Sequence, residues 1–224
     1  MKCVAVSDIH LRAVSTPAAD LLIVSGDMTF KGSPSEMSWY ASWLNKQPQK
    51  YKVWIAGNHE LGIEQDPQIA HRIAAETNSI YLNDSEITIE GVRIWGSPIT
   101  PWFFDWAFNR QRGGEISQHW QLIPNGIDIL ITHGPPHSYL DMTKDGEHVG
   151  CEELADRILN KLEVPPKIHI FGHIHFGYGE KVVKRADGQT IMMINASSCD
   201  ERYEAVNAPV TFEILPRRTR SKAT

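Results

Sequence analysis

Five short apolar runs, each four or five residues long, constrain this chain more than any other feature. They are Cys3–Val6, Leu21–Val24, Val53–Ala56, Ile127–Ile131 and Ile168–Phe171, and most are rich in valine and isoleucine. A run of this length without polar alternation reads as a strand buried on both faces, the pattern of a sheet covered by helices. Between the runs, Ser35–Leu44 and Glu152–Leu162 carry apolar residues at helical spacing, and Ser33-Pro34 supplies an N-cap and a first-turn proline. Residues Glu86 to Trp95 alternate about a turn at Glu90-Gly91, which predicts a hairpin. Beyond Gly179, the stretches Lys181–Lys184, Ile191–Ile194 and Val210–Leu215 predict further antiparallel strands. The fold class expected is mixed α/β with a β-rich C-terminal third. Two packed sheets and one large mixed sheet both satisfy the pattern.

A chain of 224 residues with 42% hydrophobic and 22% charged residues has enough apolar material for one core, so a single domain over residues 1–216 is expected. Residues 217–224 read as a short flexible basic tail. The formal net charge of −5 argues against a protein that coats nucleic acid or lies on an anionic membrane. The three cysteines, Cys3, Cys151 and Cys199, form no C-x-x-C pair and no disulfide framework. With no signal-peptide pattern and no apolar stretch near the ~20 residues of a membrane span, the expectation is a soluble, cytoplasmic protein.

The residues at the carboxyl ends of the five runs carry the chemistry. Cys3–Val6 leads to Ser7-Asp8-Ile9-His10, Leu21–Val24 to Ser25-Gly26-Asp27, and Val53–Ala56 to Gly57-Asn58-His59-Glu60. Ile127–Ile131 leads to Thr132-His133-Gly134, and Ile168–Phe171 to Gly172-His173-Ile174-His175. Strand carboxyl ends of α/β sheets open on a common crevice, so five such ends can converge. Carboxylate, amide oxygen and imidazole without thiolate suit Mn, Fe, Co, Ni or Zn. Seven candidate ligands exceed the needs of one ion and suit two ions sharing a carboxylate, roughly 3.5–4 Å apart.

The order D-x-H, GD, GNH-E, a lone His and GH-x-H resembles the calcineurin-like metallophosphoesterase superfamily. The segments SDIH, GSPSE, IAGNHE, NSIYL, THGPP and INASSC are similar to the MPPED-type metallophosphodiesterase group within it. The resemblance implies two mixed β-sheets packed as a sandwich flanked by helices. It also implies that Asp8, His10 and His175 hold one divalent transition-metal ion (Mn2+ first, with Fe, Zn, Co or Ni as alternatives). Asn58, His133 and His173 would hold the second, with Asp27 bridging and His59 acting as general acid. Some MPPED-type members have glycine where this chain has His173. Protein Ser/Thr phosphatases read GD-x-x-D-R-G where this chain reads Gly26-Asp27-Met28-Thr29-Phe30-Lys31-Gly32, so Phe30 replaces the acid that orients the catalytic histidine and Lys31 replaces the phosphate-gripping arginine.

The reaction expected is attack of a metal-bound hydroxide on phosphorus, with His59 protonating the leaving oxygen, on a small phosphodiester such as a cyclic nucleotide. A phosphomonoesterase or protein phosphatase, and a non-catalytic scaffold, are the alternatives; stable nucleic-acid binding is not expected. The aromatic-rich stretch Pro101 to Gly114 is expected to be a loop lining the substrate pocket. Trp102, Phe108, Asn109, Arg110 and Arg112 are its candidate substrate contacts.

Overall fold

The computed structural model describes residues 1–217. In chain order its strands are β1 Lys2–Val6, β2 Leu21–Ser25, β3 Tyr51–Ile55, β4 Ile80–Tyr81, β5 Ser85–Ile89, β6 Val92–Ser97, β7 Thr100–Pro101, β8 Asn109–Arg110, β9 Ile129–Thr132, β10 Ile168–Phe171, β11 Gly179–Lys184, β12 Thr190–Asn195 and β13 Val210–Glu213. The helices are α1 Pro34–Asn45, α2 Leu61–Gln65, α3 Gln68–Glu76, α4 Gly114–Gln121 and α5 Glu152–Asp156, the last continuing as a π-helical turn over Arg157–Lys161.

Two sheets account for most of these strands. One runs β13-β1-β2-β3-β4 and the other β11-β12-β10-β9-β6-β5. Within the first, β1, β2, β3 and β4 are parallel and only β13 runs against its neighbour. Within the second, β12, β10, β9 and β6 are parallel, and the edge strands β11 and β5 are antiparallel. The expected hairpin is β5–β6, with Ile89 opposite Val92 across the turn at Glu90 and Gly91.

The unbroken apolar runs are explained by what each face touches. Successive side chains of a strand point to opposite faces. Cys3, Ala5, Leu21, Ile23, Val53 and Ile55 of the first sheet share a buried cluster with Ile94, Ile129, Ile131, Ile168, Ile170 and Ile194 of the second. The alternate residues Val4, Val6, Leu22, Val24 and Trp54 instead join Tyr40, Trp43 and Leu44 of α1 and Ala70 and Ile73 of α3. Trp95, Leu130, Phe171 and Met193 likewise join Ile116 and Trp120 of α4 and Leu154 of α5. The result is a sandwich of two mixed sheets with helices outside. Helix α1 starts where expected: the Ser33 hydroxyl accepts from the Glu36 amide and the Glu36 carboxylate accepts from the Ser33 amide, a box worth about 1 kcal/mol.

Of the stretch expected to be a tail, Arg217 lies on the body of the protein, where its guanidinium donates to the carbonyls of Ile127 and Pro165. Residues 218–224 fall outside the described residues. Among the described residues no helix is long and apolar enough to cross a membrane.

Candidate metal centre

The carboxyl ends of β1, β2 and β3 meet those of β9 and β10 at one edge of the sandwich. Three of these ends use left-handed backbone at non-glycine residues: Asp8 (φ 50°), His10 (φ 40°), Asp27 (φ 54°) and His173 (φ 67°). Such residues cost of order 1–3 kcal/mol each and cluster at functional sites. Two glycines are fixed by close approach. A Cβ on Gly57 would meet the Asp27 carboxylate and His133, and one on Gly172 would meet Asp8 and Ser7.

All seven expected ligands converge, in two groups. Asp8, His10 and His175 bring donor atoms within 4.8 Å of one another, as do Asp27, His133 and His173. In the first group, His175 Nε2 lies 3.3 Å from Asp8 Oδ1 and 3.4 Å from His10 Nε2. In the second, His133 Nε2 lies 3.2 Å from Asp27 Oδ2 and 2.9 Å from Asn58 Oδ1. His59 forms a third group with His10 and Asp27, its Nε2 3.9 Å from Asp27 Oδ2.

The imidazoles are oriented from behind by backbone oxygens. Nδ1 of His10 pairs with Thr29 O at 3.0 Å, that of His133 with Ser25 O at 2.9 Å, and that of His175 with Asp200 O at 2.8 Å. A carbonyl can only accept, so each Nδ1 carries a proton and each Nε2 faces inward. His59 is held in the same way, its Nδ1 2.8 Å from the carbonyl of Phe30. The acid that Phe30 replaces is thus answered by the backbone oxygen of the same residue, a partner with no signature in a sequence.

The electrostatics fit a cation pair. Asp8 and Asp27 are buried with 0% and 2% exposure. Burial alone would raise their pKa values, but His175 beside Asp8 and His133 beside Asp27 outweigh it and hold both carboxylates below the ordinary range. Burial opposes charge on His133 and His175 too, yet Asp27 and Asp8 respectively raise them to about 9. Burial lowers His173 to about 4 and also lowers His10, so both offer lone pairs. Buried carboxylates, an amide oxygen and inward-facing imidazole nitrogens lie within about 3 Å of one another, a set that favours positive charge, from protons or from cations, between them. Divalent ions would supply that charge, and the donor set is that of borderline transition metals.

Sequence reasoning did not anticipate the supporting shell. Glu60, with no exposure, accepts from the amides of Asp27, Thr29 and Gly57 and from the Thr29 hydroxyl. Burial and then the charge of Asp27 push its carboxyl up to about 8, against the pull of those donors. Ser197 donates to Asp8 Oδ2 at 2.9 Å, and the His173 amide donates to both Asp8 oxygens. GNH-E and INASSC contained these residues, but only the three-dimensional structure shows what they hold.

A cleft of about 920 Å³ opens over the centre. Its walls include Phe103, Phe104, Trp106, Phe176, Tyr203, Lys31 and Lys144. The loop after β6 is therefore at the cleft, but not through the residues expected. Phe108 is 5% exposed and belongs to the core. Trp102 is half exposed and is not among the lining residues. Asn109 clamps the loop, donating from Nδ2 to the carbonyls of Phe103 and Phe104. Arg110 lies 3.7 Å from Glu64, and Arg112 donates to the carbonyls of Val149 and Gly150. Pro101 sits in β7, a two-residue pairing with β8 that closes the loop on itself, where no strand was expected.

Fold and site together define a two-sheet α/β protein with a candidate metal centre at its strand ends. A family model for calcineurin-like phosphoesterase matches residues 1–177. Metallophosphoesterase domain-containing protein 1 of Homo sapiens is 42% identical over 96% of this chain and 72% of the human protein. A 3′,5′-cyclic-nucleotide phosphodiesterase of Nostoc sp. is 25% identical over 71% of this chain and 57% of its own. The solved structure of TT1561 from Thermus thermophilus superposes with a TM-score of 0.57 at 14% identity, covering 94% of this chain and 97% of its own; that likeness concerns the fold alone. The chain belongs to the calcineurin-like phosphoesterase family, whose members are metal-dependent hydrolases of phosphoesters.

Proposed function

We propose that the protein is a dinuclear metal-dependent phosphodiesterase acting on small phosphodiesters, cyclic nucleotides among them. The observation that carries the diester preference is the disposition of the arginines near the motifs. Arg12 pairs with Glu204 and the Tyr203 carbonyl, Arg110 lies by Glu64, and Arg112 is engaged by backbone oxygens. A monoester dianion is held best by bidentate guanidinium, and no arginine lines this cleft among the described residues. The likeness to the Nostoc phosphodiesterase supports the cyclic-nucleotide reading. Manganese is the ion we assign first, and the three buried, unpaired thiols support a reducing cytoplasm.

When bound, two divalent ions would supply Lewis acidity at the phosphoryl oxygens and an activated water. Asp8, His10 and His175 would hold one, Asn58, His133 and His173 the other, and Asp27 both. His59 does the protein's part of the proton transfer. Its Nδ1–H is engaged by Phe30 O, so a proton on Nε2 is directed into the cleft toward the leaving oxygen. The Trp106 ring, its centroid 4.4 Å from that of His59, packs against the imidazole.

Lys31 and Lys144 favour a second reading, a phosphomonoesterase, because two ammonium groups can also meet a dianion. The ratio of kcat/KM for bis(p-nitrophenyl) phosphate to that for p-nitrophenyl phosphate separates the two. The diester should be preferred at least about 10-fold, a difference of about 1.4 kcal/mol in transition-state binding; a ratio below one would establish the monoesterase instead.

A further inference from the structure

Tyr203 is a bulky aromatic residue with φ of 60°, in a conformation that such residues rarely adopt. The loop around it is built to enforce that conformation. Asp200 Oδ1 accepts from the amides of Arg202 and Glu204, the Tyr203 amide donates to Asp200 O, and the Asp200 amide donates to Glu204 O. Arg12, two residues beyond His10, donates to the Tyr203 carbonyl at 2.7 Å and pairs with Glu204. The carbonyl of Asp200 orients His175. The loop is thereby tied to both histidines of one metal group.

This strained backbone directs the Tyr203 ring over that group. It packs edge-on against His10 at 4.7 Å and His175 at 5.7 Å, and against Phe30 at 5.4 Å, next to Lys31. The residue lines the cleft and remains 37% exposed. A hydroxyl beside a phosphate site can donate one strong hydrogen bond to an anionic oxygen.

We infer that Tyr203 contacts the substrate, its hydroxyl donating to a nonbridging phosphoryl oxygen of the ester held at the metal centre. This rests on the phosphodiesterase reading of the same cleft. It gives the chain a neutral donor where an arginine would grip a dianion, in keeping with a singly charged diester.

The test compares manganese-loaded wild type, Tyr203→Phe and Tyr203→Ala on bis(p-nitrophenyl) phosphate, with metal content and Tm measured alongside. Tyr203→Phe should keep its metal and Tm and lose about 10- to 100-fold in kcat/KM, the range of one hydrogen bond to a charged group. Binding of inorganic phosphate to the metal-loaded protein, followed by calorimetry, should weaken in the same variant. Should Tyr203→Phe match wild type in both assays while Tyr203→Ala fails, the ring only packs and the inference is overturned. Loss of metal in Tyr203→Phe would overturn it as well, because the effect would then be structural. A wild type that turns over no diester would sink the phosphodiesterase reading alone, since phosphate binding still compares tyrosine with phenylalanine.

Discussion

His10, His133 and His175 turn Nε2 inward because a backbone carbonyl holds Nδ1, and His59 shares that arrangement through Phe30. The motifs D-x-H, GNH-E and GH-x-H announce imidazoles but say nothing about carbonyls several loops away. The gathering of these residues at one place was therefore legible in the sequence and their orientation was not. His59→Ala should retain both ions and lose rate by about 10²–10⁴-fold with an alkyl leaving group. The loss should be much smaller with p-nitrophenolate, which departs without a proton. Equal losses for both esters would remove the proton-donor role. Above about pH 8, where Glu60 is a carboxylate, Glu60→Gln puts an amide NH2 against donors that now face a carboxylate oxygen, whichever way it turns. It should cost about 1–3 kcal/mol in stability and weaken metal binding; a variant with unchanged Tm and metal affinity would show that the four bonds are incidental.

The apolar runs read correctly as strands because covering on both faces removes polar alternation, and β5–β6 followed from its own alternation. The loop between β7 and β8 was harder. Five aromatic residues lie between Pro101 and Asn109, and composition does not say which of them turn inward. The answer depends on Asn109 clamping the carbonyls of Phe103 and Phe104, and on the core taking Phe108. Phe108→Ala should therefore lower stability by about 3–5 kcal/mol, read as a fall in Cm at constant m. Phe104, 64% exposed, should behave in the opposite way: Phe104→Ala should leave stability within about 0.5 kcal/mol and raise KM for substrates with a large planar group. A Phe104→Ala variant that melts early with unchanged KM would move that ring from the pocket to the core.

For the whole molecule, His169 is a buried titratable group outside the set of metal ligands. His169 in β10 has no exposure, pairs through Nε2 with the Thr132 hydroxyl at 2.8 Å, and is pushed down to about 3 by burial. The unfolded chain takes up a proton there near pH 6.5, whereas the folded protein resists until about pH 3. This contribution to stability is thus complete above pH 6.5 and is lost as pH falls toward 3, by an amount of order several kcal/mol. Urea midpoints of wild type and His169→Gln across that window should diverge, with wild type falling more steeply; parallel curves would deny the neutral buried state. The residue pattern alone left the two-sheet division open and the family resemblance supplied it, because a residue such as Ile23 carries no mark of which face it presents or what covers it.

The central claim, that two ions shared through Asp27 make this chain a phosphodiesterase, is tested most directly by turnover of bis(p-nitrophenyl) phosphate as manganese is titrated into metal-stripped protein. Activity should be negligible without metal and should rise to a plateau at two equivalents per chain, with Asp27→Ala inactive throughout. Activity that survives stripping, or that saturates at one equivalent and persists in Asp27→Ala, would contradict it.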